Sequence, residues 1–338
     1  MSIDVTIRGA GIFGLSIAWA CTARGAKVQV IDPGGVGAGA SGGLVGALAP
    51  HVPENWNPKK AFQLESLLMA EPFWAEVGGA HGYARTGRLQ PIADEAALAL
   101  AHQRAESAKV LWGDAAQWEV ISSAPDWAPR SPIGAWVHDT LSAHVHPRKA
   151  CAALADALRA RGMALTQDGE DIGPVIWATG VQGLAALNPR NARPMGAAVK
   201  GQAALLALDR GGAPQLFADS LHIIPHLDGT VAIGSTTENS FDHVEPDALL
   251  EDVITRARAA VPALAQAKVI ARWAGLRPRA RSRAPMLGPW PDRPGHFIAN
   301  GGFKIGFGMA PKVAEVMADL ALEGRDTIPQ GFEVAASA

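Results

Sequence analysis

Apolar positions along this 338-residue chain fall into runs with two different periods. Residues 4–8 and 27–31 are short and rich in Val and Ile, which predicts two strands, and the stretch between them, 15–23, predicts a helix stopped by Gly25. Residues 61–77 place Phe62, Leu64, Leu67, Leu68, Phe73 and Trp74 at helical spacing. An alternating strand over 85–92 and a helix over 95–110 follow, whereas 111–137 holds four tryptophans and several prolines without a clear period. A helix over 149–161, closed by Gly162, leads to a buried strand at 174–180 that ends in small residues. Residues 199–206, 221–225 and 230–234 predict a strand meander with Asp228-Gly229 as a hairpin turn. A helix over 246–261, a strand over 269–278 and a final strand–glycine–helix unit over 297–322 complete the pattern. The tail beyond Gly331 is expected to fray.

The first strand runs directly into Gly9-Ala10-Gly11-Ile12-Phe13-Gly14, and the second ends in Asp32. Gly9 permits the tight turn, Gly11 lets a diphosphate approach the backbone, and Gly14 lets helix and strand pack closely. Free N–H groups and the helix dipole then attract phosphate, and Asp32 is placed to accept hydrogen bonds from ribose hydroxyls. Glycines alone would be weak evidence. Strand, glycines, helix, second strand and terminal acid in the right order predict dinucleotide binding.

A second glycine-rich stretch occupies 34–50, where a nicotinamide dehydrogenase would continue its strand–helix alternation. It is nearly free of bulky side chains, so its backbone can lie against a large planar ligand, with Ser41 able to reach a phosphate. Leu44, Val45, Ala47 and Leu48 make it too apolar for an ordinary surface loop. The run Gly39-Ala40-Ser41-Gly42-Gly43-Leu44-Val45-Gly46-Ala47-Leu48-Ala49-Pro50 resembles the flavin-contacting loop of the D-amino acid oxidase superfamily, with glycine oxidase and monomeric sarcosine oxidase nearest in pattern. That resemblance implies FAD, its isoalloxazine ring near Gly46 and Ala47.

Thr179-Gly180 resembles the family's second dinucleotide-side loop, where Gly180 would approach the FAD. The segment 162–174 is shorter than is usual there, so the family's small hairpin is expected to be trimmed. Asn300-Gly301-Gly302-Phe303-Lys304-Ile305-Gly306-Phe307-Gly308 resembles the C-terminal loop that approaches the flavin's pyrimidine edge and stabilises the reduced anion. Gly275-Leu276-Arg277-Pro278 matches the motif whose arginine grips a substrate carboxylate, a role that suits a planar guanidinium. The other reading of Arg277 is a structural salt bridge. Arg272, Arg279, Arg281 and Arg283 make the neighbourhood more basic than the family pattern, which allows an acidic, dicarboxylic or bulky anionic substrate.

Lys304 stands where relatives have a second basic carboxylate contact. His222 stands where they have a tyrosine, and Tyr83 is the chain's only tyrosine. His222 could still donate a hydrogen bond and is expected to change charge near neutral pH. His51 is a further pocket candidate. His144 and His146, at i and i+2, read better as a strand edge before a proline-started helix than as metal ligands, so no metal is expected.

Composition adds bounds rather than function: 48% hydrophobic, 18% charged and a formal charge of −2 leave no electrostatic footprint for nucleic acid. No apolar run is long enough to span a bilayer, and no secretory leader is visible. Cys21 and Cys151 form neither a disulfide framework nor a metal spacing, which predicts a cytoplasmic location. Neither matches a covalent flavin attachment, so the FAD is expected to be noncovalent.

The fold class implied is α/β: a GR2-type Rossmann FAD-binding domain from 1–80, 141–195 and 279–338, with an interleaved mixed β-sheet substrate domain from 81–140 and 196–278. The activity implied is oxidation of the C–N bond of a small amine or amino acid, with hydride passing from the α-carbon to flavin N5. The imine would then be hydrolysed and O2 reduced to H2O2. A dehydrogenase using a non-oxygen acceptor, a tRNA-modifying flavoprotein and a noncatalytic subunit of an oxidase complex are the competing readings. The particular amine and the oligomeric state, a homo-oligomer included, stay open.

Overall fold

The computed structural model describes residues 2–190 and 193–338. Its first sheet runs Met286–Pro289, His296–Asn300, Val175–Trp177, Val5–Arg8, Val28–Ile31, Ala164–Thr166, with all neighbours parallel except the antiparallel outer pair Met286–Pro289 and His296–Asn300. Parallel strands in such a sheet are buried on both faces. Val5, Ile7, Val28, Val30 and Ile176 are accordingly removed from solvent, in one core with the helices Ile12–Ala23, Pro147–Ala160 and Gly306–Glu323. Helix Pro58–Val77 packs on Gly306–Glu323 and places Trp74 in the same core.

The second sheet has eight strands in the order Lys268–Ala280, Gly196–Ala207, Thr230–Gly234, Leu221–Pro225, Gln215–Ala218, Arg88–Pro91, Trp136–Asp139, Trp118–Ile121. Only Gln215–Ala218 and Arg88–Pro91 pair in parallel. Helix Ala248–Ala260 buries Leu250, Val253, Ile254 and Ala257 against Leu206, Ile223, Val231 and Ile233.

The second glycine-rich stretch joins the two sheets. Ala47–Leu48 pairs with Ala143–His144, and Leu44 is buried with Ala203, Ile224 and Ala232, with Val45, Ala47 and Trp273 packed around them. The Trp273 ring lies on the faces of Gly43 and Gly275, where a Cβ would stand 3.3 and 2.3 Å from it. The apolar character of this segment is thus explained by burial between layers.

Several expectations are revised. The region without a clear period contains strands Trp118–Ile121 and Trp136–Asp139, with Trp112 and Trp118 buried edge to face. Helix Gly180–Leu187 and strands Gln215–Ala218 and Met286–Pro289 were not foreseen, being short and set by their neighbours. The strand expected over 85–92 is confined to Arg88–Pro91, and helices begin earlier than expected, at Ile12, Pro147 and Gly306. Between 162 and 174 there is the single strand Ala164–Thr166. The tail does not fray: Phe332, Val334 and Ser337 are buried, and Leu287 N donates to Phe332 O at 2.7 Å.

Candidate functional site

At the end of the first strand the chain turns through Gly9 at φ 111°. A Cβ on Gly9 would stand 2.4 Å from Ala178 O, and one on Gly14 would stand 1.9 Å from Gly9 O. Gly11 differs, because a Cβ there would meet only Ser41, with Oγ at 3.1 Å. Gly9 and Gly14 are therefore demanded by the protein's own packing, whereas Gly11 keeps open the approach to the helix start. Helix Ile12–Ala23 begins without a side-chain cap and with no acidic residue in its first turn, the condition under which its N–H groups suit an anion. Ser41 Oγ accepts from Ile12 N at 2.9 Å, so the hydroxyl reaches the helix start with its proton left to donate.

Asp32 shapes this turn as well as facing it. One carboxylate oxygen accepts from Ala10 N at 2.7 Å and the other from Gly34 N at 2.9 Å. Asp32→Ala is expected to weaken FAD binding by on the order of 1–3 kcal/mol, the scale of charge-assisted hydrogen bonds. Unchanged affinity in an apoprotein titration would remove Asp32 from the cofactor site.

A second helix start lies beside the first. A Cβ on Gly302 would meet Phe13 Cζ at 2.8 Å and Gly306 Cα at 3.1 Å, and Gly306 lies against Ile12 and Phe13. Helix Gly306–Glu323, with Ile305 as its N-cap, also lacks a side-chain cap and a first-turn acid. Two positive helix ends thus converge. Gly301 adopts φ 76° over Ala280, and Phe303, at φ 45°, donates its N–H to Pro278 O at 2.9 Å. This ties the loop to the strand that carries Arg277. Thr179 precedes helix Gly180–Leu187, and Asn300 Nδ2 donates to Gly180 O at 2.8 Å, joining that loop to the C-terminal one. Gly46 is packed against Val145, whose carbonyl oxygen would be 2.0 Å from a Cβ, with Ala47 half-buried beside it.

On the eight-stranded sheet, Arg277 is 9% exposed and lies over Gly201, where a Cβ would fall 1.8 Å from Nη1. The missing side chain at Gly201 is the space the guanidinium occupies. Arg277 donates to Thr236 O at 3.2 Å and makes no ion pair among the described residues. Burial lowers its pKa to about 10, with nearby Glu238 opposing the shift. A buried guanidinium without a bound acid is suited to receive one. The structural-salt-bridge reading of Arg277 finds no partner here.

Lys304 Nζ hydrogen-bonds Thr237 Oγ1 at 2.7 Å, and desolvation together with Arg277 lowers its pKa. His222 joins the same group: burial, then Arg88, Lys304 and Arg277, push its pKa down to about 3. Its Nδ1 has no partner among the described residues. The expected charge change near neutral pH is therefore wrong, because an imidazolium would be buried among three cations. Arg88, not singled out from the sequence, is neutralised by Asp139 at 2.9 Å in a fully buried pair.

His222 also makes a stability prediction. Its folded pKa lies below the ordinary 6.5, so the unfolded chain binds the extra proton as pH falls. Stability should decline from about pH 6.5 toward 3, and His222→Asn should flatten that decline in denaturation midpoints measured across the interval. An unchanged slope would show that His222 is protonated in the fold.

His51 is placed elsewhere. Its backbone N–H donates to Gln63 Oε1 at 2.7 Å and its Nδ1 meets the same oxygen, while the charges that act on it are Lys59 and Lys60. Nothing brings it to Arg277. Among the other arginines, Arg272 pairs with Glu251 at 2.9 Å and Arg279 stacks on Phe303. Among the described residues no group of His, Cys, Asp or Glu is arranged to hold a metal ion, and no helix is long and apolar enough to cross a membrane.

The family model described as FAD dependent oxidoreductase (DAO) matches residues 4–320. The chain belongs to that family. It is an FAD-dependent amine or amino acid oxidoreductase. Glycine oxidase of Geobacillus kaustophilus is 27% identical over 96% of this chain and 94% of its own length. Glycine oxidase of Pseudomonas aeruginosa is 34% identical, over 52% of this chain and 48% of the relative. The solved glycine oxidase from Geobacillus kaustophilus superposes with a TM-score of 0.85 at 21% identity, covering 98% of each chain, and shows the same fold. The residues fit the cofactor of this family: the open Gly11 cradle, Asp32, the proton of Ser41 and two uncapped helix starts supply the donors and acceptors a dinucleotide requires.

Four residues around Arg277, Lys304 and His222 were missed from the sequence: Arg88, Gly201, Thr236 and Thr237. Only Gly201 left a trace, a glycine within a run of strand-forming residues, where backbone or side chain approaches closely.

Proposed function

We propose that this enzyme oxidises the C–N bond of a small amine or amino acid bearing a carboxylate, in the manner of glycine oxidase. The observation that carries the reading is Arg277, buried and without an acid partner, beside Lys304 and the neutral ring of His222. Arg277 takes the substrate carboxylate through its fork, and Lys304 adds a second positive contact. Neutral His222 offers a hydrogen bond without charge, in place of the tyrosine hydroxyl expected from the resemblance. FAD, when bound noncovalently, supplies the hydride acceptor. The protein's contribution is to hold the α-carbon in position and, through the uncapped start of helix Gly306–Glu323, to favour the negative charge that would develop on the reduced ring. With that acceptor in place, the α-carbon would give up its hydride to it, the resulting imine would be hydrolysed to the oxo acid with release of ammonia or the remaining amine, and O2 would take the two electrons with two protons to give H2O2.

In this reading 1–80, 141–195 and 279–338 form the FAD-binding part and 81–140 with 196–278 the substrate part, a division supported by how the strands sort into two sheets. Free, buried Cys21 and Cys151 support a cytoplasmic location. The test is anaerobic bleaching of the flavin by glycine, sarcosine, D-proline, other D-amino acids and amines lacking a carboxylate, followed by admission of air. Bleaching confined to amines without a carboxylate overturns the substrate reading. A reduced flavin stable in air replaces the oxidase with a dehydrogenase.

A further inference from the structure

Strand Lys268–Ala280 turns alternate residues to opposite faces of the eight-stranded sheet. Arg272 faces helix Ala248–Ala260, where it pairs with Glu251 at 2.9 Å. Trp273, Gly275 and Arg277 therefore share the other face, the one on which Ala203 is buried with Leu44 of the second glycine-rich stretch. Trp273 pairs directly with Ala203, and Gly275 with Gly201. The side chains of Trp273 and Arg277 reach toward each other over this pair of glycines. A Cβ on Gly275 would stand 2.3 Å from indole Cζ2, and one on Gly201 would stand 1.8 Å from guanidinium Nη1. Directly opposed Cβ positions lie only about 5 Å apart, so the indole is the guanidinium's neighbour on that side.

The ring also meets the loop across from the sheet, where a Cβ on Gly43 would stand 3.3 Å from Cη2. Its seat thus depends on glycine at 275 and on a bare backbone at 43. Trp273 further lines a groove of about 380 Å³, together with residues 36–39, Gly42 and Arg148. Arg148 is exposed, donates its Nε–H to Gly42 O at 2.7 Å and makes no ion pair among the described residues. Neither Arg277 nor Gly201 lines this groove. One indole therefore borders both spaces, the clamp on one side and the groove on the other. A tryptophan has two side-chain torsions and a rigid ring, so it presents a fixed surface rather than one that repacks around a ligand.

We propose that Trp273 is the specificity-determining wall of the carboxylate site: its indole closes the side of Arg277 that faces the groove, so the site takes carboxylates with short substituents and excludes longer ones. This rests on the assignment of Arg277 as the carboxylate clamp. The FAD-loaded protein is titrated with acetate and with hexanoate, two carboxylates that differ only in chain length, and binding is read from the flavin absorption spectrum. Wild type should prefer acetate. Trp273→Ala joins the clamp to the groove and should raise hexanoate affinity relative to acetate about tenfold or more, because the added methylenes then leave water. Trp273→Phe keeps most of the wall and should stay near the wild-type ratio. Should Trp273→Ala not retain FAD, Trp273→Leu makes the same comparison, and loss of flavin from both makes the indole a packing residue and overturns the wall. A wild type that already prefers hexanoate, or an unchanged ratio in flavin-loaded Trp273→Ala, overturns it as well. If wild type is not saturated by acetate, or Arg277→Met leaves acetate affinity unchanged, the clamp itself falls.

Discussion

Arg277→Met is expected to raise the substrate concentration needed for half-maximal flavin reduction by about a hundredfold or more. The basis is the roughly 3–5 kcal/mol lost when one member of a desolvated charge pair is removed. Arg277→Lys should recover only part, because an ammonium makes a point contact where the guanidinium makes a bidentate one. The bound substrate supplies the partner that the protein withholds, since Arg277 makes one hydrogen bond to Thr236 and no ion pair among the described residues. Gly201→Ala should mimic the loss without touching the charge, because its methyl would occupy the guanidinium's position. FAD content and melting temperature of Arg277→Met should stay near wild type. Stopped-flow reduction and a thermal melt on the same preparations check this. A variant that loses flavin or fold, while its surviving fraction binds substrate normally, would make Arg277 structural.

Gly14→Ala is expected to leave the protein without cofactor. The new methyl would lie 1.9 Å from Gly9 O, a backbone atom, and Gly9 is itself tightly packed, with Ala178 O 2.4 Å from where its Cβ would stand. Overpacking a tight site costs roughly 1–3 kcal/mol and sometimes more. Here the distortion falls on the turn that presents Gly11 and the helix start. FAD affinity should therefore fall by at least about tenfold to a hundredfold, and the purified variant should be nearly colourless with a lowered melting temperature. Wild-type flavin stoichiometry in Gly14→Ala would show that the turn tolerates the methyl.

The contrast between these two variants follows how each site is encoded. The cofactor site rests on neighbours in sequence: Gly9, Gly11, Gly14 and Asp32 act within one strand–turn–helix–strand unit, so their spacing alone made it legible. The motif around Arg277 was legible too, but its solitude was not. That required Gly201 on the neighbouring strand, Thr236 just past strand Thr230–Gly234, and a Glu238 that pairs with Lys200 instead.

Short elements were lost for a related reason. Strands such as Trp118–Ile121 and Gln215–Ala218 carry four residues each, too few for a period to stand out, and their conformation is imposed by the strands they pair with. The tail was misread because position near a terminus suggests fraying, whereas Phe332 fills a place in the core beside Phe62. His222 shows the same limit in its chemistry. A histidine's ordinary titration follows from its side chain, but its neutrality here is set by burial near Arg88, Lys304 and Arg277.

The sequence by itself determined the dinucleotide turn, the family motifs and most long helices and strands, because each depends on local backbone geometry and periodicity. Tertiary structure alone decided which charges are paired and which are left open, because ion pairing and desolvation depend on groups brought together from distant parts of the chain.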